Sequence, residues 1–383
     1  MNATGAIGGS AAGLYVHLPY CASRCGYCAF VVTTDDSSRE RYLAALDREA
    51  GMLAVEAAGS AFDAIYLGGG TPSLLPPAAV SRLLASLRER FELRAGAEVT
   101  LEANPEDVSA AAVAAWVEAG VTRISVGVQS LEDAELAAVG RRHDARRAAA
   151  ALETLVRAGV AVSGDLILGL PLQTEDSFAR SLEGLCDAGV SHVSVYLLEA
   201  EKSRTIEEDR RTHPERYLGD DPQADAWLAM GQTLASRGFR HYEISNWARP
   251  GREARHNVKY WTRTPTLGLG VSAHELWAGR RRANVSQLPA YLERLESGRR
   301  PIALDQAVTE EEAARERVYL GLRLAEGVPA DAFEEQLGRT GDPRLREDYD
   351  GWLKEGILRH EGGRIRFTER GFLVSNEVLS RFV

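Results

Sequence analysis

The chain has 383 residues, 45% of them hydrophobic and 26% charged, and a formal net charge of −10. That length suits a main domain of roughly 200 to 300 residues with a smaller one beside it, in an ordinary globular protein. The acidic balance argues against a broad nucleic-acid-binding surface, and no apolar run of about 18 residues reads as a membrane span.

The opening MNATGAIGGSAAG has no basic stretch followed by an apolar core, so it reads as a flexible tail over residues 1–12 and not as a signal peptide. An apolar alternation follows at Leu14, Val16 and Leu18 and predicts a short strand. Directly after it, Cys21, Cys25 and Cys28 stand in a C-x3-C-x2-C spacing and make up three of the four cysteines. Thiolates this close together suit a soft metal or an iron–sulfur cluster. Three ligands for a four-iron cube leave one iron open to a group that is not protein. Zinc is the competing reading, with His17 or a distant histidine as fourth ligand, but structural zinc usually pairs two half-sites and no second one exists here. Four cysteines are too few for a disulfide scaffold in so long a chain, and reduced thiols without an export signal place the protein in the cytoplasm.

From about residue 15 to 199 one pattern repeats: a β-rich run, a loop, then an alanine- and leucine-rich helical stretch. Strands are predicted at 14–18, 64–67, 98–102, 123–128, 160–168 and 192–198, with helices near 38–57, 76–92, 108–118, 143–158 and 175–188. Such alternation implies parallel pairing through right-handed crossovers. Six strands fall short of a closed eight-stranded barrel, so a partial (β/α)6 barrel fits, and alternation alone fits a doubly wound sheet equally well. Two strand ends carry residues of interest. Gly68-Gly69-Gly70-Thr71-Pro72 lets backbone approach a ligand, though a glycine triplet alone is as readily a turn. Glu102, in TLEANPE, can accept two ribose hydroxyls or simply be a solvated charge.

Residues 199–223 are charged and turn-rich and read as a connection leaving the barrel, before a helix near 223–236 and a strand at 241–244. Thr309 and Glu312 form a capping box that opens a helix. A second helix near 344–355, a hairpin about Gly362-Gly363 and a last helix from Thr368 complete a winged-helix-like module. Residues 305–383 carry 17 acidic and 12 basic side chains, so packing or partner contact suits the module better than DNA binding. The expected division is a tail at 1–12, a partial barrel at 13–222, a barrel-closing segment at 223–306 and the module at 307–383.

The stretch GLYVHLPYCASRCGYCAF resembles the cluster loop of the radical S-adenosylmethionine (SAM) superfamily, whose signature has an aromatic residue before the last cysteine, here Tyr27. YVHLPYC and CGYCAF are similar to the oxygen-independent coproporphyrinogen oxidase branch, which includes a haem chaperone sub-branch. The resemblance covers nearly the whole chain and implies a partial (β/α)6 TIM-like barrel with a [4Fe-4S] cluster on Cys21, Cys25 and Cys28. It implies that the methionine end of SAM chelates the fourth iron. It assigns Gly69, Gly70 and Thr71 to the methionyl amino group, Glu102 to the ribose, and Gln129, Arg141 and Asp165 to the SAM-site wall. Tyr15 matches another SAM contact, and the backbone of Tyr27 reaches the adenine. Arg142 competes with Arg141, because helix register is not visible in sequence. The family commonly has Asp-Phe after the last cysteine, whereas this chain has Ala29-Phe30, a departure that bears on a loop hydrogen bond and not on the ligands.

Two features separate the sub-branches. The decarboxylating enzymes that resemble this chain carry a further cysteine two residues after the third. Here that residue is Phe30, as is typical of the chaperones. His256, Asn257, Tyr260 and Trp261 form an H-N-x-x-Y-W motif that resembles the chaperones' haem-associated signature. Imidazole ligates haem iron and aromatic rings offer a flat wall, yet a histidine among aromatics is as readily a packed core residue, and His17, His143 and His274 compete with His256. Residues 267–273 read as a strand and tight backbone closing the mouth over SAM, and Cys186 as buried and inert. The implied function is a haem chaperone that delivers haem, its cargo, to acceptor proteins. The alternative is an oxygen-independent coproporphyrinogen III oxidase, and a zinc-holding interaction module is a third class. Peripheral membrane contact and homodimer formation are left open.

Overall fold

The computed structural model describes residues 11–340 and 342–382, so most of the tail expected over 1–12 lies outside the described residues. Ala11 is buried, and the first strand already begins at Ala12. Six strands follow one another in chain order: β1 (Ala12–Leu18), β2 (Ala61–Gly69), β3 (Glu92–Ala103), β4 (Arg123–Gln129), β5 (Ala161–Leu168) and β6 (His192–Leu197). Helices α1 (Arg39–Glu56), α2 (Pro77–Arg90), α3 (Ala110–Glu118), α4 (Asp133–Ala138), α5 (Ala145–Arg157) and α6 (Glu175–Ala188) make the crossovers. Each strand pairs in parallel with the next. The order runs β1 to β6 without reversal. Right-handed crossovers that always step the same way put every helix on one face, and the sheet curls into a partial barrel. A doubly wound sheet needs a reversal of order, and there is none.

Local sequence explains the helices. Buried Ala148, Ala151, Leu152 and Leu155 give α5 one apolar stripe, and the Asp144 side chain accepts from the Arg147 amide at its start. Thr174 and Ser177 cap α6 reciprocally, and Gly189 ends it with φ 85°. The connection expected over 199–223 holds a helix, α7 (Arg204–Thr212), capped by Ser203. Only Ile206 of α7 is buried, so no apolar stripe announced it.

The next segment extends the same sheet at both edges. After α8 (Asp220–Ser236), β7 (Arg240–Glu243) and β8 (Asn246–Ala248) pair beyond β6, with β8 between β6 and β7. After α9 (Arg255–Trp261), β9 (Thr266–Leu269) pairs in parallel with β1, and β10 (His274–Trp277), β11 (Arg280–Asn284) and β12 (Ile302–Ala307) continue outward, with α10 (Leu288–Glu296) before β12. Among the described residues β12 and β7 do not pair, so the barrel stays open. Residues 267–273 do not close its mouth. The strand stops at Leu269, and Gly270, with φ 102°, packs against the Tyr42 hydroxyl and the His17 carbonyl, where a Cβ would lie 2.6 Å from each.

α11 (Glu310–Gly321), β13 (Val328–Pro329), α12 (Ala330–Thr340), α13 (Pro343–Lys354), β14 (Leu358–Glu361), β15 (Arg364–Phe367), α14 (Glu369–Leu373) and α15 (Ser375–Ser380) form the C-terminal module. Its sheet has the order β13-β15-β14, and Gly362 and Gly363 both take positive φ in the hairpin turn. Glu316 of α11 pairs with Arg263, at 2.6 Å, and with Arg281, which ties the module to the barrel. Among the described residues no helix is long and apolar enough to cross a membrane.

One buried acid links the first helix to the far edge of the sheet. Glu49 of α1, 0% exposed, accepts from the Gly270 amide at 2.8 Å and from Asn284 and the Tyr291 hydroxyl at 2.6 Å each. Burial pushes its carboxyl from about 4.5 up to about 7, against those three donors. A carboxyl that holds its proton more tightly when folded loses its stabilising contribution as pH rises through that interval. The stability advantage of wild type over Glu49→Gln is therefore expected to fall from pH 4.5 to 7, approaching about 1.4 kcal/mol per pH unit. Denaturant melts of both proteins across that range check this, and a constant difference contradicts it.

Candidate functional site

A cavity of about 410 Å³ opens where β1 to β6 end. Its wall includes Cys21, Cys25, Tyr27 and Cys28 from the loop after β1, Gly69, Gly70 and Thr71 from the end of β2, and Glu102 and Asn104 from the end of β3. Gln129, Arg141 and Asp165 complete it. Eleven of the thirteen residues singled out in the sequence thus meet at one mouth, and Tyr15 and His256 do not line it.

The loop after β1 is pinned by its neighbours. Gly70 donates its amide to the Leu18 carbonyl and Thr71 donates to the Tyr20 carbonyl, both at 2.8 Å. A Cβ on Gly70 would meet backbone atoms of Leu18, Pro19 and Tyr20 at 2.7–2.8 Å, and one on Gly69 would meet the His17 ring at 2.5 Å. The glycines are therefore required by protein packing, whatever else they touch. Farther round, the Cys21 amide donates to the Thr33 carbonyl at 2.9 Å, the Gly26 amide donates to the Val139 carbonyl at 3.0 Å, and the Ser203 hydroxyl closes on the Gly26 carbonyl.

Cys21, Cys25 and Cys28 are free and half-buried, and burial pushes the thiols of Cys21 and Cys28 up. Thr71 Oγ1 donates to Cys21 Sγ at 3.4 Å, and Arg141 Nη1 lies 3.6 Å from Cys25 Sγ and 3.4 Å from the Tyr27 hydroxyl. The other arm of Arg141 donates to Asn104 Oδ1 at 2.7 Å and to the Gly127 carbonyl at 2.6 Å. Arg141 is thus the inward member of the Arg141-Arg142 pair, while Arg142 is exposed. Among the described residues no three His, Cys, Asp or Glu side chains gather as a site for one metal ion. The three thiols stand spread around the cavity wall.

Two carboxylates form the floor. Glu102 accepts from the Tyr66 hydroxyl at 2.7 Å and from the Gly69 amide at 3.1 Å. A carboxylate has about four acceptor positions, so two remain for hydroxyls of a ligand. Burial, with the charge of Asp165 nearby, pushes Glu102 up to about 7. Asp165 is pushed up to about 6 by burial, although Ser125 and Ser163 donate to it at 2.8 and 3.2 Å and Ser194 assists. Gln129 adopts φ 67° at an irregular step in the β4–β5 register, and its amide lies over Gly127, where a Cβ would be 2.8 Å away. Strain of this kind concentrates at binding sites.

Sequence reasoning missed Asn104, Tyr66, Ser125 and Tyr196, all on the cavity wall. A signal existed for some: polar residues at inward positions of apolar strands, such as Ser125, Ser163 and Ser194, mark an interior that holds something polar.

His256 lies at the opposite end of the barrel. Its helix, α9, plugs the N-terminal opening: Lys259 Nζ pairs with Asp63 at 2.6 Å and donates to the Ala11 carbonyl at 2.7 Å, and the Arg255 amide donates to Glu98 at 2.9 Å. The His256 ring is 1% exposed, 2.9 Å from the Tyr260 hydroxyl, with the rings of Tyr66 and Tyr15 at 5.2 and 6.2 Å. Burial and the neighbouring Lys259 push it down to about 3, so it is neutral. In the structure the His256 ring is enclosed among Tyr15, Tyr66 and Tyr260, the packed-core alternative that the sequence also offered for it. Tyr15 belongs to the same aromatic layer and bonds His17 at 3.1 Å. Cys186 is buried on α6, as expected.

A six-stranded parallel partial barrel with three free thiols at its C-terminal mouth is the architecture of a radical SAM protein. The family model for the Radical SAM superfamily matches residues 15–197, and that for the HemN C-terminal domain matches residues 308–374. The chain is 36% identical to the heme chaperone HemW of Mycobacterium tuberculosis, over 96% of this chain and 93% of that one. It is 30% identical to HemW of Escherichia coli, over 97% of each. The solved structure of the radical SAM enzyme coproporphyrinogen III oxidase (HemN) from Escherichia coli superposes with a TM-score of 0.83 at 25% identity, over 97% of this chain and 90% of that one. The chain belongs to the radical SAM superfamily, in the HemN-like branch that includes the HemW chaperones.

Membership of the superfamily implies a [4Fe-4S] cluster and SAM, and the cavity suits both. Three unpaired thiols surround it, two carboxylates with free lone pairs floor it, and Arg141 Nε is buried there without a partner. His256→Ala is expected to cost about 2–4 kcal/mol as a buried large-to-small change. A thermal melt should drop by several degrees, and a melting temperature equal to that of wild type contradicts the packing role.

Proposed function

We propose that this chain is a haem chaperone, which binds haem and delivers it to acceptor proteins while retaining a [4Fe-4S] cluster and SAM in the barrel mouth. The observation that carries the reading is the thiol triad followed by Phe30. The decarboxylating enzymes of the branch have a further cysteine there, and here an apolar ring stands 66% exposed on the cavity rim. The relatives of Mycobacterium tuberculosis and Escherichia coli named as heme chaperones match the chain over 93% and 97% of their own length, which supports the same reading.

In this reading Cys21, Cys25 and Cys28 hold the cluster. Arg141, which lies near Cys25, would pair with a carboxylate of SAM, Glu102 would accept the ribose hydroxyls with its free lone pairs, and Gln129 and Asp165 would line the remaining wall. The cluster, when bound, supplies one iron that protein does not ligate, and any radical chemistry is the cofactor's. Tyr66 keeps Glu102 aimed into the cavity, and the Ser125, Ser163 and Asp165 group keeps the floor polar.

A second reading, oxygen-independent coproporphyrinogen III oxidase, is favoured by the fold shared with HemN. Anaerobic incubation of the reconstituted protein with coproporphyrinogen III, SAM and a reductant separates the two. The chaperone reading expects a stoichiometric haem Soret titration and no protoporphyrinogen IX; product formation overturns it. Cys21→Ala, Cys25→Ala and Cys28→Ala are each expected to abolish the four-iron absorbance, and Cys186→Ala to leave it intact. Loss of iron together with Cys186 contradicts the ligand assignment.

A further inference from the structure

We propose that Asn104 is a positioning residue that aims two side-chain donors at the cysteine sulfurs and thereby sets how readily a cluster held by them accepts an electron. This rests on the reading of Cys21, Cys25 and Cys28 as cluster ligands. The argument is one of proton orientation. A guanidinium only donates, so the Asn104 atom that meets Arg141 Nη2 at 2.7 Å is the amide oxygen. The amide nitrogen then faces Thr71 Oγ1, at 3.2 Å, and donates to it. With its lone pair engaged, the Thr71 hydroxyl turns its hydrogen toward Cys21 Sγ, at 3.4 Å. The same amide steadies Arg141, whose other arm reaches Cys25 Sγ at 3.6 Å.

One side chain therefore fixes a hydroxyl donor on the first cysteine and a cationic donor near the second. Asn104 is itself held, because its backbone amide donates to Ser73 Oγ at 3.2 Å and Ser73 donates to Asp107 at 2.7 Å. Donors at cluster sulfurs stabilise the more negative, reduced state and raise the potential. Asn104→Asp keeps the acceptor for Arg141 but puts a second acceptor before Thr71, which draws the hydroxyl hydrogen off Cys21. Asn104→Ala releases both donors, and Thr71→Val deletes one at nearly constant shape.

The test reconstitutes wild type, Asn104→Asp, Asn104→Ala and Thr71→Val anaerobically and counts iron and acid-labile sulfide. Each is then titrated with dithionite without SAM, following the reduced cluster by electron paramagnetic resonance. At the wild-type midpoint potential the reduced-to-oxidised ratio is expected to fall about tenfold in Asn104→Ala, a shift of about 59 mV for one electron. A smaller fall is expected in Thr71→Val, and adding Asn104→Ala to Thr71→Val should shift the ratio by less than the sum of the single changes. A fully loaded Asn104→Ala with an unaltered ratio overturns the proposal. If that variant loads poorly, an unaltered ratio in loaded Thr71→Val overturns it instead. A wild type that shows no four-iron spectrum overturns the cluster reading itself, a result distinct from a loaded variant whose potential does not move.

Discussion

No side chain fits between the end of β2 and the chain leaving β1. Gly70 sits against the backbone of Leu18, Pro19 and Tyr20, and its amide and that of Thr71 are spent on carbonyls of that segment. This close approach sets where the cysteine loop departs, and so where its thiols stand relative to the ends of the other strands. It also delivers the Thr71 hydroxyl to Cys21. A Cβ at position 70 would press on the backbone of Leu18, Pro19 and Tyr20, and backbone cannot rotate away as a side chain can.

The two ends of the barrel have opposite chemistry. At the mouth, Glu102 and Asp165 are buried enough to be raised to about 7 and about 6, yet both keep hydrogen-bond donors and face open space. At the other end α9 fills the opening with His256 and Lys259, and the pair between Lys259 and Asp63 is buried in the plug. Burying an ion pair stabilises little by itself, but leaving one partner alone is costly, so the plug is specified as a unit. The C-terminal module then packs on the plugged side through Glu316 and leaves the mouth free.

Likeness to both HemN and HemW describes a shared scaffold more than a shared activity, because a fold hosts function only through its site. Phe30, the residue on which the two readings differ, stands at the rim, where it, Tyr196 and Leu197 expose apolar surface beside Arg24, Arg142 and Lys202. Apolar surface with cations at its edge is what a porphyrin bearing carboxylates would need under either reading.

The sequence alone determined the strand–helix alternation, the thiol triad and the glycine turn after the second strand, while most of the other mouth residues came from the resemblance to a family. Those signals are local: period-two runs, short cysteine spacings and turn glycines act within a few residues of themselves. Alternation could not separate a partial barrel from a doubly wound sheet, which needed the strand order. It also missed α7, which buries a single side chain, and it left the H-N-x-x-Y-W motif open between a haem ligand and a packed histidine, while α9 lies in the barrel's far opening. Whether His256 meets a ligand or a ring of tyrosines depends on which end of the barrel its helix enters. Only the tertiary structure decided that, because contacts between residues 13 and 256, or 63 and 259, leave no trace in the residues beside them.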